Sequence, residues 1–244
     1  MLTIVGTGHV LDIGKPVRAI VKARAPSVVA LELDPPRFHG LQHPELRGRA
    51  PLPYMIMAFI QRRLAKDYGG QAGDEMLAAA DEAKKNGASV ALVDKDARLV
   101  FEELNREIPI KEKVKIGWAM LASLFLIGGT TVDAEMERYK SDEASYLEEF
   151  GKEFPAIKEI LLDRRNEHMA RALRELDGKY PSTVAFVGDG HVEGLRRLLA
   201  DLSPEIIRLK DLTREGFEPE DIHFMSMCTV SDDSNSNCNI QFQL

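Results

Sequence analysis

Two segments near opposite ends of the chain share one design, and that design limits the fold more than any other feature. Leu2-Thr3-Ile4-Val5 is a short apolar run followed by Gly6-Thr7-Gly8-His9, and Val184-Ala185-Phe186-Val187 is followed by Gly188-Asp189-Gly190-His191. Apolar, β-branched runs ended by glycine predict strands. Each motif has the form Gly-x-x-His with a second glycine directly before the histidine. Both histidines are therefore expected on turns at strand carboxyl ends, converging on a shared site.

Between these segments the chain alternates strand and helix. Lys15 to Ala25 has helical periodicity with Pro16 in its first turn, and Pro26 stops it. Ser27 to Leu33 is nearly all apolar, as expected of a strand covered on both faces. Strand, helix and strand within about 30 residues predict a βαβ unit with parallel strands. Residues 37–52 read as a loop with short helical pieces, after Pro35-Pro36 ends the strand. Pro53 to Tyr68 reads as a helix, and Asp74 is expected to cap another that runs to Asn86-Gly87. Ser89 to Val93 is a third strand, and Arg98 to Arg106 returns to helix. Lys111 to about Leu176 shows no strand signal, only helical stretches broken near glycines and Pro155. Val192 to Leu202 is expected as the last helix and Glu205 to Leu209 as a fifth strand.

The expected fold is α/β, a mostly parallel central sheet flanked by helices, with a helical insertion between the third and fourth main strands. Residues 1–210 form that domain, residues 107–178 the insertion within it, and residues 211–244 a partly flexible C-terminal extension. The insertion packs beside the sheet and is placed to cover the site as a lid.

A net charge of −7 argues against a broad nucleic-acid surface, so no nucleic-acid partner is expected. With 44% apolar and 29% charged residues, the chain has the means to bury a sizeable core. Its two cysteines, Cys228 and Cys238, both lie in the C-terminal extension, so the main body folds without disulfides. The first strand leaves no room for a signal peptide, and a cytoplasmic location is expected. Ile116 to Gly129 is the longest apolar stretch and falls short of the roughly 20 residues needed to span a bilayer. It reads as a buried core helix, with an interfacial or homo-oligomer contact as the alternative. No integral membrane segment is expected.

Polar residues collect after the apolar runs: His9 after the first, Glu32 and Asp34 after the second, Asp94 and Asp96 after the third, Asp189 and His191 after the fourth. In a parallel sheet those carboxyl ends lie along one edge, where α/β proteins place their binding crevice. Two histidines and a carboxylate suit a divalent transition metal such as zinc, manganese, cobalt or iron. A metal with an open position would acidify bound water and polarise a substrate carbonyl. A rival reading takes Gly6-Thr7-Gly8-His9-Val10-Leu11 as a dinucleotide loop with Glu32 as the ribose-binding acid. Leu11 then replaces the third glycine, and the second Gly-x-x-His motif has no role. Phosphate-loop, His-Glu-x-x-His and nucleophile-elbow patterns are absent. His39 and His43 share a Pro-rich stretch and read as surface residues, and His168 lies on a charged helix.

The chain resembles the TraB/PrgY family, related to GumN and the Tiki proteases. The matching pieces are Gly6-Thr7-Gly8-His9, Val29 to Asp34 with Arg37 and Leu41, Ala72 to Met76 leading to Asn86-Gly87-Ala88, Asp94-Lys95-Asp96, Asp163 to Ala170, and Val187 to Val192. The resemblance implies an α/β fold with a helical insertion. It also implies a metal-dependent hydrolase of the metalloprotease kind, with a peptide or small molecule as substrate, or a protein that sequesters peptides in the same crevice without turnover. His9 and His191 would be metal ligands, Glu32 a ligand or general base, and Glu75 a second catalytic acid. Manganese, cobalt or zinc would be the cofactor. Arg165 and Asn166 match an Arg-Asn/Asp helix signature and would anchor a substrate carboxylate or orient a ligand. Asp34, Arg37, Asp94, Asp96 and Asp189 would stand around the site. Asp94-Lys95-Asp96-Ala97 departs from the family's Asp-Arg-Asp-Ile, and a bidentate arginine contact would not survive that lysine unchanged. The family's hydrophobic C-terminal region has no counterpart in these residues, so no membrane role is carried over.

Overall fold

The apolar runs become strands of one parallel sheet. The computed structural model describes residues 1–8, 13–46, 73–115 and 151–213. Its strands are β1 (Leu2–Thr7), β2 (Val28–Leu31), β3 (Ser89–Leu92), β4 (Thr183–Gly188) and β5 (Glu205–Ile207). They are ordered β3-β2-β4-β1-β5, and every pairing is parallel. β1 and β2 are parallel as expected but not neighbours, because β4 enters between them.

The helices are α1 (Gly14–Arg24), α2 (Pro35–Gln42), α3 (Asp74–Lys85), α4 (Ala97–Glu107), α5 (Pro155–Lys158), α6 (Arg164–Lys179), α7 (Asp189–Leu198) and α8 (Leu209–Leu212). A π-helical turn at Glu159–Asp163 joins α5 to α6. Among the described residues no strand lies between β3 and β4, and residues 110–115 and 151–153 are also helical. The expected helix over Pro53 to Tyr68 and the apolar stretch Ile116 to Gly129 lie outside the described residues. No described helix is long and apolar enough to cross a membrane.

Strand alternation divides the core into two layers. Val5, Val29, Leu31, Val184 and Phe186 face α1 and α3, where Val17, Ile20, Val21, Met76 and Ala79 pack against them. Ile4, Ala30, Ala185 and Val187 face α6 and α7, against Met169, Leu173, Val192 and Leu195. Strands buried on both faces account for the unbroken apolar runs.

Several local readings change. Asp34-Pro35-Pro36 starts helix α2 rather than a loop. Asp34 is its N-cap, accepting from the Arg37 backbone N–H at 2.7 Å, and the prolines occupy the first turn, where no N–H is needed. The N-cap of α3 is Gly73, so Asp74 is the first helical residue rather than the cap. Gly188-Asp189-Gly190-His191 is not a free turn, since β4 runs to Gly188 and α7 begins at Asp189. That helix ends at Leu198, with a 3-10 turn over Ala200–Leu202.

Candidate functional site

The carboxyl edge of the sheet is organised at the β1–β4 pair. In its register Gly6 faces Val187 and Thr7 faces Gly188, so the two glycine-histidine motifs leave neighbouring strands one residue out of step. β1 runs on through α1 toward β2, and β4 through α7 toward β5, with the two helices on opposite faces of the sheet. Connections that diverge from adjacent strands leave a crevice at their carboxyl ends, the place where open α/β sheets bind ligands. His9, two residues beyond Thr7, lies outside the described residues.

His191 stands in the first turn of α7 and is buried. Its Nδ1 lies 2.7 Å from Oδ1 of the buried Asn166, on the first turn of α6. A carboxamide oxygen only accepts, so Nδ1 is the donor in this bond, and the ring presents Nε2 on its other side. Nε2 faces Glu32 Oε1 at 3.3 Å. Gly194 makes the arrangement possible. A Cβ there would lie 2.2 Å from Asn166 Nδ2, so any larger residue would push α7 off Asn166.

Glu32 extends β2 toward β4, with its N–H donating to the Phe186 carbonyl. Its Oε2 accepts from the Gly188 N–H at 2.6 Å, and its Oε1 accepts from Arg165 Nη2 at 2.5 Å. Arg165 grips Asp94 as well, with Nε to Oδ1 at 3.0 Å and Nη2 to Oδ2 at 2.6 Å, and Nη1 donates to the Leu161 carbonyl. Arg37 continues the chain, its Nη2 2.5 Å from Asp94 Oδ2 and its Nε 2.8 Å from Asp34 Oδ2. Buried Glu32, Asp34 and Asp94 thus bring three negative charges against two from Arg37 and Arg165.

Burial works to raise the Asp94 carboxyl, but Arg165, by hydrogen bond and charge, outweighs it and holds the group below its ordinary range. Burial likewise opposes the charge on Arg165, and Asp94 and Glu32 more than restore it. Arg37 and Arg165 supply the arginine contacts to Asp94, while Lys95 pairs with Glu103 at 2.8 Å.

Not every expected residue joins this group. Asp96 is the N-cap of α4, accepting from the Arg98 N–H, and its carboxylate is occupied there. Glu75 is buried in the first turn of α3 and accepts from the Gly73 N–H at 3.1 Å, a local contact. Asp34 also accepts from the Ala97 N–H, tying β2's end to α4. Asp189 binds Arg208 through Oδ1–Nε at 3.0 Å and Oδ2–Nη2 at 2.6 Å, and accepts from the Leu209 N–H. A Cβ on Gly6 would meet Asp189 Oδ1 at 1.9 Å, so the residue must be glycine for this carboxylate to lie over β1. Arg208 was missing from the expected set. It directly follows β5, so extending the strand-end rule to the fifth strand would have found it. His168 is partly buried, and burial followed by the charge of Arg171 lowers its imidazole's pKa.

Among the described residues, no three His, Cys, Asp or Glu side chains are placed to hold a metal ion together. The dinucleotide arrangement fits poorly. Its ribose-binding acid ends the strand beside the glycine-rich one, whereas β4 separates β2 from β1 and Glu32 is bonded to Gly188 and Arg165. The TraB/PrgY/gumN family model matches residues 1–207. An uncharacterised protein of Methanocaldococcus jannaschii is 32% identical over 217 residues, 82% of this chain and 53% of that protein. The chain thus spans about half the length of this curated relative.

Proposed function

The chain belongs to the TraB/PrgY/gumN family, and from that premise we propose that it is a metal-dependent hydrolase acting on peptides at the β1–β4 crevice. The observation that carries the reading is the facing pair, His191 Nε2 and Glu32 Oε1, 3.3 Å apart. Bonds of about 2.0–2.1 Å in a tetrahedral ion set neighbouring ligands roughly 3.3–3.4 Å apart, so this donor pair fits a shared metal. His9 would be the third ligand. Manganese, cobalt or zinc would supply Lewis acidity to polarise a peptide carbonyl and acidify a bound water.

The protein's own groups do the positioning. Asn166 fixes the proton on His191 Nδ1 and aims Nε2, as a hydrogen-bonded partner behind a ligating histidine does. Arg165 and the Gly188 N–H hold the two Glu32 oxygens in place, and Arg37 and Asp94 hold Arg165. A second reading, a protein that sequesters peptides without turnover, draws on the same bonds, since both Glu32 oxygens already carry donors.

The test uses tag-free protein supplied with manganese or cobalt and a peptide library. Cleavage that a chelator abolishes and added metal restores, and that His9→Ala/His191→Ala lacks, is the expected result. Metal binding no tighter than that of the double variant refutes the reading. Metal-dependent peptide binding without cleavage selects the sequestering protein.

A further inference from the structure

Helix α2 carries a feature that the crevice does not use. Its eight residues include none that is fully buried, and its first turn is fastened by Asp34, the prolines and Arg37. Phe38 and Leu41 pack its inner side against the core, which leaves the opposite side of the last turn to solvent. On that turn His39 and His43 stand four residues apart on one side, joined along the backbone by the His43 N–H to His39 carbonyl bond at 3.0 Å. Their ring centroids are 4.7 Å apart at an interplanar angle of 41°. His39 is exposed and His43 partly so. Glu45 lies beyond, with Oε1 3.2 Å from His43 Nδ1. A carboxylate there accepts the Nδ1 proton and leaves Nε2 as the donor atom, the arrangement that orients ligating histidines elsewhere.

We propose that His39 and His43 chelate a second divalent transition-metal ion on the solvent side of α2, with Glu45 orienting His43 and water completing the coordination. Imidazole nitrogens suit zinc, nickel, copper and cobalt. Only two protein donors are needed, so the site stands apart from the Glu32–His191 pair and from any reading of it. Chelation across the last turn would further fasten the helix that delivers Arg37 to Asp94. Metal binding by the folded state alone raises its thermal midpoint.

The probe is zinc chloride, titrated by calorimetry into tag-free full-length protein carrying His191→Ala, so that the crevice does not contribute. One bound equivalent is expected, absent in the added His39→Asn/His43→Asn variant and weakened about tenfold by Glu45→Gln. These side chains lie on the surface, and circular dichroism without zinc should match across the set. An equivalent that persists in the double histidine variant overturns the proposal, and so does zinc affinity that Glu45→Gln leaves unchanged.

Discussion

Replacing Arg165 by methionine should destabilise the protein severely at neutral pH and much less in acid. The guanidinium is 14% exposed and the only described donor shared by Glu32 and Asp94, whose side chains are 5% and 1% exposed. Methionine fills similar volume but removes the guanidinium between two buried carboxylates, leaving Asp94 to Arg37 and Glu32 to the Gly188 N–H among the described donors. Removing one partner from a buried ion pair costs about 3–5 kcal/mol. Against a whole-domain stability of about 5–15 kcal/mol, that is a third or more. The pH dependence identifies the cause. In the native protein the Asp94 carboxyl titrates below its unfolded value. Its stabilising contribution is therefore complete above about pH 3.9 and is lost as pH falls through the folded value. Without Arg165, burial and mutual repulsion raise both carboxyls relative to the parent protein, so protonation relieves the variant as pH falls from 7 toward about 4.5. Urea unfolding followed by circular dichroism at both pH values measures the gap. A loss below about 1 kcal/mol at pH 7, the range of exposed pairs, refutes the reasoning. A gap that stays constant with pH refutes it as well.

Other outcomes follow from packing. Gly6→Ala drives a Cβ into Asp189 Oδ1 and should cost about 1–3 kcal/mol in urea unfolding. Little change would mean that Asp189 swings away without cost. Phe186→Ala, at a fully buried position between β1's and β2's flanks of the sheet, should cost about 3–5 kcal/mol in the same assay. Gly194→Ala should displace Asn166, visible as a changed His191 ring signal in nitrogen NMR, with a smaller loss of stability.

The sequence reveals what depends on local pattern. Apolar runs at Leu2, Val28 and Thr183 are strands because residues buried on both faces must be apolar, the half-buried run at Ser89 pairs at the sheet edge, and their polar ends share one edge because the strands are parallel. Strand order is different. Nothing in residues 1–33 shows that β4 will enter between β1 and β2, since that is decided by packing of segments about 150 residues apart. The Gly188–His191 motif reads like its counterpart at Gly6, yet the sheet register sets them one residue apart, and helix α7 takes His191 into its first turn. Asp34-Pro35-Pro36 held a helix-start signal that the strand-stopping power of proline masked. For the site, Glu32, Asp94, Arg165, Asn166 and His191 were each visible as residue types. Their linkage through Arg165 was not, because α6 reaches the sheet only by tertiary packing.

The central claim is that the two Gly-x-x-His motifs form one divided metal site. Its most direct test is a double-mutant cycle on zinc affinity, in tag-free protein carrying His39→Asn/His43→Asn so that the surface pair is silent. If His9 and His191 ligate one ion, each change to alanine weakens the remaining zinc equivalent strongly, and the double variant is scarcely weaker than either single one. If His9→Ala binds zinc as tightly as its parent, or if the two losses add as for independent sites, the motifs do not share a metal.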